Sequence, residues 1–237
     1  MSLDTDIFGM AMQDYLNDNY TADIKVISSI ADEDIIPVPY LFRSYEDMPD
    51  IEQKALDLCK GKVLDVGCGA GIHSLYLQEK GMDVTAIDTS AGAIDICKKQ
   101  GVKNAECTAF LNFKEGKYDT IILLMNGTGI FGNLKKLTQY IDHLKELLAD
   151  GGQILLDSSD LIYMYEEEDG SLLIPSDYYY GEVTYRTKYK NKKSKEFDWL
   201  YIHYGLLKDI ATNHGLTAEK VMDGPHHDYL ARLTKNQ

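Results

Sequence analysis

Hydrophobic residues follow two alternating periods through the middle of the chain. Short, nearly continuous apolar runs are typical of strands in a parallel sheet that is covered on both faces. Between these runs, apolar residues recur every third or fourth position, as on one face of a helix, and a glycine often follows where the pattern stops. Strands are predicted at 62–66, 82–87, 104–107, 118–125 and 153–157. This alternation predicts an α/β fold with a doubly wound sheet.

The alternation breaks after the fifth predicted strand. Residues 183–189 and 197–201 alternate apolar with polar positions on either side of a basic stretch, which predicts a β-hairpin with a basic tip. A helix at 206–214 and two strands at 216–222 and 228–233 are predicted to close the chain. The β-hairpin is therefore predicted to be an insertion between the fifth strand and the last two.

The N-terminal segment is dense in apolar and aromatic side chains. A short helix is predicted near its start, capped by Asp4 or Asp6, and 35–40 is predicted to be extended because its two prolines disfavour helix. A domain-swapped or dimer-forming arm is the alternative to a cap over a pocket. The predicted divisions are an N-terminal cap or arm at 1–48, a core domain at 49–237 and, within that domain, an insertion at 158–202 that serves as a substrate lid.

Composition narrows the class of protein. The chain is 44% hydrophobic and 26% charged, which is ordinary for a globular domain, and its net charge of −14 disfavours nucleic acid and anionic membranes as partners. The four cysteines lack metal-type spacing, and His226-His227-Asp228 fits a turn better than a metal site. The N-terminus is acidic and no long apolar run occurs, which predicts a cytoplasmic protein. We also predict a monomer or homodimer, and no bound metal.

A glycine-rich turn follows the first predicted strand of the sheet. Gly67, Gly69 and Gly71 let the backbone approach a ligand closely, and the next helix points its free N–H groups at the same crevice. In the dinucleotide fingerprint the third glycine comes one position later, where this chain has Ile72. Asp65 would repel a pyrophosphate, whereas it suits a positively charged ligand. The turn therefore favours a cationic nucleotide-type cofactor over a dinucleotide.

The same turn carries a family resemblance. Residues 63–71, Val-Leu-Asp-Val-Gly-Cys-Gly-Ala-Gly, are similar to motif I of the class I S-adenosylmethionine-dependent methyltransferases. Residues 84–88, 117–122 and 148–156 resemble later motifs of that family in the same order. The resemblance implies a mostly parallel seven-stranded sheet with an antiparallel last strand, and S-adenosyl-L-methionine as the cofactor with S-adenosyl-L-homocysteine as its product. The cofactor contacts that it implies come from Asp65, Gly67, Cys68, Gly69, Asp88, Thr89, Thr108, Ala109, Met125 and Asn126.

Individual roles follow from the same resemblance. Asp88 matches the acid that accepts both ribose hydroxyls. The chain departs from the family where an acidic residue often contacts adenine; Thr108 stands there, and its backbone N–H or its hydroxyl is expected to take that role. Arg43 matches an upstream arginine that clamps the cofactor carboxylate, although a surface arginine paired with Glu46 or Asp47 is the alternative.

The acceptor side is less defined by the sequence. His73 is expected to pack rather than to bind, and Asn126 is either an acceptor contact or a simple turn residue. We take Tyr40, His203 and Tyr204 as further candidate acceptor contacts and name no catalytic base. The predicted function is in-line methyl transfer to a small-molecule acceptor. A nucleic-acid or protein methyltransferase, indicated by the basic hairpin tip, is one alternative, and a cofactor-binding fold without catalysis is another.

Substitution of Asp88 tests the cofactor assignment. In Asp88→Ala, S-adenosylhomocysteine should bind at least about tenfold more weakly, because two hydrogen bonds to a charged acceptor are lost. Calorimetry with S-adenosylmethionine, S-adenosylhomocysteine and NAD on the unaltered chain and the variant measures this. A chain that binds NAD but neither of the other two ligands would overturn the assignment.

Overall fold

The strands form two sheets. The computed structural model describes residues 6–236. Its strands are β1 (Ile24–Ser28), β2 (Asp34–Ile36), β3 (Lys62–Val66), β4 (Asp83–Asp88), β5 (Asn104–Cys107), β6 (Tyr118–Leu123), β7 (Leu148–Ser159), β8 (Glu182–Tyr189), β9 (Lys192–Lys193), β10 (Phe197–Leu200), β11 (Leu216–Asp223) and β12 (Asp228–Lys235). Its α-helices are α1 (Ile7–Leu16), α2 (Asp50–Leu58), α3 (Ile72–Glu79), α4 (Ala91–Gln100), α5 (Leu134–Leu147) and α6 (Tyr204–Asn213).

The larger sheet has seven strands in the order β11-β12-β7-β6-β3-β4-β5. Neighbours from β7 to β5 are parallel, whereas β12 is antiparallel to both β7 and β11. The predicted fold is confirmed. After β3 the chain builds outward through β4 and β5 and then returns to β6 on the other side of β3. This reversal opens a crevice at the carboxyl ends of β3 and β6, where ligands of open α/β sheets bind.

The core lies on both faces of the larger sheet. Ile121 and Ile122 of β6 are fully buried because helices cover each face of this central strand. On one face Leu144 of α5 joins the cluster that contains Ile121, and on the other Ile51 of α2 joins the cluster that contains Ile122. The continuous apolar run of β6 in the sequence has this physical cause.

The remaining strands form a second sheet, the cap sheet, in the order β10-β8-β1-β2 with β9 on β8. The predicted hairpin is β8 and β10, in which Phe197 lies opposite Tyr185. β1 of the N-terminal segment pairs with β8 of the insertion, with Val26 opposite Thr187. The N-terminal segment and the insertion, which the sequence presents as separate, therefore contribute strands to one sheet.

One local prediction needs correction. Residues 35–40 are extended only through Pro37, and Val38–Phe42 form a 3-10 helix. Proline is tolerated in a first helical turn, where its missing N–H has no partner to lose. Asp6 caps α1 as predicted, whereas Asp4, the alternative cap, lies outside the described residues.

Candidate functional site

The glycine-rich turn leaves β3 at the crevice. Its backbone is tied to the end of β4, because the N–H groups of Gly67 and Cys68 both donate to the Ile87 carbonyl, at 2.8 and 3.1 Å. Gly69 has φ +53°, and a Cβ at that position would meet no atom within 4 Å. At Gly71, with φ +84°, a Cβ would lie 2.8 Å from Cys97 Sγ. Gly69 therefore faces open space, whereas Gly71 lets the loop pack on α4.

Asp88 ends β4 beside this turn. Its Oδ2 accepts the N–H of Gly69 at 3.0 Å, and its Oδ1 accepts the N–H of Ser90 at 2.8 Å. Burial raises the pKa of Asp88 above its ordinary value, against these two backbone donors. Each oxygen still has a lone pair available. The carboxylate is thus oriented by backbone on both sides and can accept a pair of hydroxyl groups.

The end of β5 differs in one respect from the prediction that Thr108 contacts adenine. The Thr108 N–H donates to the Asp88 carbonyl at 2.9 Å, so it is not available to a ligand, and only the Thr108 hydroxyl keeps the predicted role. Cys107 Sγ lies 3.7 Å from the Thr89 carbonyl. Thr89, Thr108 and Ala109 therefore stand together at the ends of β4 and β5, as the cofactor prediction requires.

Asp65 lies beneath the glycine-rich turn on the other side. It is 2% exposed, and its Oδ2 accepts the Ser74 hydroxyl of α3 at 2.7 Å. Burial raises the pKa of Asp65, although the charge of His73 and the Ser74 hydrogen bond act to lower it. A positively charged group nearby would stabilise the ionised form.

Arg43 is buried rather than at the surface. Its Nη2 donates to both oxygens of Glu52, each at 2.5 Å, and its Nη1 donates to the Tyr40 carbonyl. The alternative partners, Glu46 and Asp47, are not its ion-pair partners. The guanidinium carbon also lies 4.0 Å from the centre of the Tyr40 ring. Arg43 Nε has no hydrogen-bond partner among residues 6–236 and is enclosed.

Glu52 joins this arginine to a histidine. His73 Nε2 lies 2.8 Å from Glu52 Oε2, and both side chains are buried, which agrees with the packing role expected for His73. Burial acts to raise the pKa of Glu52, but the His73 ring and the Arg43 guanidinium hold it below its ordinary value. Glu52 is therefore a buried carboxylate that its partners keep ionised. The sequence analysis missed it, because an acid in the first turn of a helix is usually a surface residue.

A strained turn follows β6. Met125 and Asn126 have φ of +66° and +55°, an uncommon conformation for residues other than glycine. The Asn126 and Gly127 N–H groups donate to the two oxygens of Asp157, at 2.9 Å each. Asn126 Oδ1 also accepts the Ser159 hydroxyl at 2.8 Å. The turn is thus held by the end of β7, which is why β6 ends two residues before its predicted limit at Met125.

Asp157 is the second residue that sequence reasoning missed. It is 5% exposed, and burial raises its pKa to about 6, with the Glu52 charge acting in the same direction. The position at the carboxyl end of a central strand is the signal that could have found it. The buried ionisable side chains of the site are Arg43, Glu52, Asp65, His73 and Asp157. Three carboxylates in this set stand against one guanidinium and one imidazole.

The other candidate acceptor contacts occupy different surroundings. Tyr40 is 40% exposed beneath the Arg43 guanidinium. His203 Nδ1 lies 2.9 Å from the Tyr179 hydroxyl and 3.0 Å from that of Tyr180. Tyr204 instead donates its hydroxyl to the Ala218 carbonyl of β11. The structure therefore brings Tyr40 to the arginine, whereas His203 and Tyr204 lie in separate contacts at the start of α6.

Taken together, a glycine-rich turn, an oriented acid on the neighbouring strand and a buried excess of carboxylates define a Rossmann-like site for a cationic nucleoside cofactor. Residues 41–200 match the family described as "Methyltransferase domain", and the chain belongs to this family. The resemblance to class I S-adenosylmethionine-dependent methyltransferases is confirmed, and S-adenosylmethionine is the cofactor of that class.

The similar proteins differ in how identical they are to this chain and in how much of its length they match. A methyltransferase from Bacteroides fragilis, in complex with S-adenosyl-L-homocysteine, is 42% identical with a TM-score of 0.94, over 100% of this chain and 98% of its own. The ubiquinone biosynthesis O-methyltransferase of Actinobacillus pleuropneumoniae is 47% identical over 49 residues, 21% of each protein. The probable methyltransferase TehB of Haemophilus influenzae is 27% identical over 65% of this chain and 51% of its own. The chain thus spans a fifth to a half of these two curated relatives.

Three further findings concern the fold, metal binding and membrane-spanning helices. The sugar N-methyltransferase KedS8 shares 14% identity at a TM-score of 0.56, over 79% of this chain and 85% of its own, which shows the fold alone. Within residues 6–236, no group of three His, Cys, Asp or Glu side chains could hold a metal ion. In the same part of the chain, no helix is long and apolar enough to cross a membrane.

The buried Asp157 generates a pH prediction. Its pKa is about 6 in the folded chain against 3.8 as the ordinary value, so the folded state binds more protons between these pH values. The contribution of Asp157 to stability should therefore fall by about 2 kcal/mol as pH rises from 4 to 8. Urea unfolding across this range should show a fall that is smaller by that amount in Asp157→Asn.

A matched control uses an exposed acid. Asp150→Asn removes a carboxylate whose side chain is fully exposed, and its pH profile should follow that of the unaltered chain. An Asp157→Asn variant with the same pH slope as the unaltered chain would contradict the assignment.

Proposed function

We propose that this protein transfers a methyl group from S-adenosylmethionine to a small-molecule acceptor. The observation that carries the proposal is the buried excess of carboxylates beside the glycine-rich turn. Such a set is costly to desolvate unless positive charge lies beside it. S-adenosylmethionine has both an ammonium and a sulfonium group, and its ribose offers the two hydroxyls that Asp88 can accept.

The residues of the site fit both the nucleoside end and the carboxylate end of S-adenosylmethionine. Asp88 would hold the ribose, the Thr108 hydroxyl would serve the adenine, and Gly67, Cys68 and Gly69 would line the open face of the turn. Arg43 has an enclosed Nε with no partner in the described chain, which suits a carboxylate. The cofactor carboxylate would supply that partner, in agreement with the clamp role predicted for Arg43.

When bound, the cofactor supplies an electrophilic methyl group to the site. The protein's own contribution is alignment and exclusion of water, which together lower the barrier by several kcal/mol. Met125 and Asn126 stand at the carboxyl end of β6, in a turn that Asp157 holds through two backbone N–H groups. This turn would position the acceptor. No residue is assigned as a base, because an acceptor that arrives deprotonated needs none.

The cap sheet supports a small acceptor. Trp199 of β10 packs directly on Gly129 in the turn after β6, so closely that a Cβ on that glycine would overlap the indole ring. The hydroxyls of Tyr185, in β8, and Tyr201, the residue after β10, lie 2.8 Å apart, and the charge of Asp157 acts to raise the pKa of Tyr201. The cap sheet and the methyl-transfer edge are therefore neighbours, which favours the predicted lid role of 158–202.

The basic hairpin tip gives little support to a polymer substrate. Lys190 pairs with Asp14 at 2.6 Å, and Lys188 lies 3.9 Å from Glu33; beside the tip, Arg186 of β8 pairs with Glu196 at 2.7 Å. Paired charges attract phosphates less than unpaired ones do. The ribosomal protein L11 methyltransferase of Campylobacter fetus, 32% identical over 41% of this chain and 38% of its own, keeps a protein acceptor as the second candidate. Cytoplasmic location and a monomeric or homodimeric state remain part of the proposal.

Label transfer distinguishes the acceptor classes. The chain is incubated with S-adenosylmethionine labelled in its methyl group and, separately, with a metabolite filtrate, total transfer RNA and a ribosomal protein fraction. Label should enter the filtrate alone, because the cap sheet lies over the carboxyl edge of the larger sheet, where the methyl group would be transferred. Label in RNA or protein would overturn the small-molecule proposal, and binding without any transfer would favour a cofactor-binding fold without catalysis.

Arg43 offers a test of the cofactor's other end. Arg43→Lys keeps a cation beside Glu52 but removes Nε, so affinity for S-adenosylhomocysteine should fall about tenfold. Arg186→Lys, at an exposed ion pair, is the matched control and should bind as the unaltered chain does. Equal affinities of the two variants in calorimetry would remove Arg43 from the cofactor site.

A further inference from the structure

A buried carboxylate outside the sequence motifs touches the same network as Asp88. Asp6, the residue before α1, is 4% exposed although it lies near the start of the described chain. Its Oδ1 accepts the Gly9 N–H of its own helix at 3.0 Å. Its Oδ2 accepts the Gly92 N–H in the first turn of α4, also at 3.0 Å. One carboxylate therefore caps two helices at once.

Two glycines make this arrangement possible. A Cβ on Gly92 would lie 2.6 Å from the Gly9 Cα, and a Cβ on Gly9 would lie 2.5 Å from Asp6 Oδ2. Helices approach this closely only where side chains are absent. The starts of α1 and α4 thus meet at backbone contact, and the short side chain of Asp6 reaches α4 for that reason.

Ser90 connects Asp6 to the ribose acid. The Ser90 hydroxyl donates to the Asp6 carboxylate, with Oγ at 2.8 and 2.7 Å from its two oxygens, and Oγ accepts the Ala93 N–H at 2.9 Å. The backbone N–H of the same serine donates to Asp88 Oδ1. The path from α1 to the ribose acid therefore contains only two hydrogen-bonded steps, from Asp6 to the Ser90 hydroxyl and from the Ser90 N–H to Asp88.

We propose that Asp6 is a positioning residue for cofactor binding, which holds the Ser90 hydroxyl so that both Asp88 oxygens remain available to the ribose. Without Asp6 the Ser90 hydroxyl loses the acceptor that it has in the structure. A hydroxyl that turned instead to Asp88, which already accepts the backbone N–H of this serine, would occupy a lone pair that the ribose needs. The inference rests on the proposed function, and it makes the N-terminal segment part of the cofactor site rather than only a cap over the acceptor.

The test separates ribose recognition from general loosening of α1. Asp6→Asn keeps the shape of the side chain, removes its charge and replaces one of its two acceptor oxygens with an amide nitrogen, which cannot accept a backbone N–H or the Ser90 hydroxyl. Its dissociation constant for S-adenosylhomocysteine should rise about tenfold, the effect of losing a charge-assisted hydrogen bond. The constant for the 2′,3′-dideoxy analogue of that ligand should change less than about twofold, because the analogue has no hydroxyls for Asp88 to accept.

Asp14→Asn is the matched control on the same helix. Asp14 accepts the Tyr189 hydroxyl at 3.0 Å and the Lys190 ammonium at 2.6 Å in the cap sheet, at the other end of α1. This variant should bind both ligands as the unaltered chain does. Calorimetry on the full-length chains gives all of these constants. An Asp6→Asn chain that keeps its affinity, or that loses both ligands equally, would overturn the proposal.

A measurement on the unaltered chain covers the case in which Asp6→Asn does not fold. Addition of S-adenosylhomocysteine should slow hydrogen exchange at the Gly9 and Gly92 amides as well as at Gly69. Slowing at Gly69 alone would contradict a role for Asp6. An unaltered chain that binds neither S-adenosylmethionine nor S-adenosylhomocysteine would overturn the proposed function itself, whereas normal binding with no effect of Asp6→Asn would overturn this inference only.

Discussion

Desolvation of charge at the carboxyl edge of the larger sheet is the constraint on which the site depends. Asp65, Glu52 and Asp157 are each at least 95% buried. A buried carboxylate disfavours its own ionised form, and the protein offsets this cost in different ways. Glu52 has Arg43 and His73 beside it, and its pKa is lowered. Asp65 and Asp157 accept hydrogen bonds but have no ion-pair partner of this kind in the described chain; burial outweighs these bonds and the His73 contribution, and their pKa values are raised.

This imbalance explains why the site suits a cation. Fully compensated carboxylates would leave no electrostatic preference for a ligand, whereas uncompensated ones in a low-dielectric crevice interact strongly with incoming positive charge. The backbone supplies the remaining order. Asp88 receives N–H groups from the loops that follow β3 and β4, and Asp157 receives two from the one turn after β6, so that loop geometry and carboxylate orientation are set together. Strain in the Met125–Asn126 turn persists because Asp157 holds it.

The cap sheet adds a second level of organisation. Pairing of β1 with β8 joins segments that lie more than 150 residues apart. Trp199 packs on Gly129, in the 3-10 helix that follows the turn after β6, and so connects the cap sheet to that segment. The N-terminal segment therefore contacts both the insertion, through β8, and, through Asp6, the start of α4. Loops and appendages over the carboxyl edge of such sheets carry specificity, while the sheet itself carries the cofactor.

The sequence by itself determined the larger sheet, the position of the glycine-rich turn and the class of cofactor. Period and glycine positions placed β3 to β7 within a few residues, and Asp88 follows from its place at the end of β4, because local patterns encode strand, turn and helix start. Only the tertiary structure decided that Arg43 meets Glu52, that Asp157 underlies Asn126, and that the N-terminal segment shares a sheet with the insertion. These contacts join residues that are far apart in the chain, or that a helix surface pattern assigns to solvent. No local period reports which distant partner satisfies a buried charge or an open strand edge.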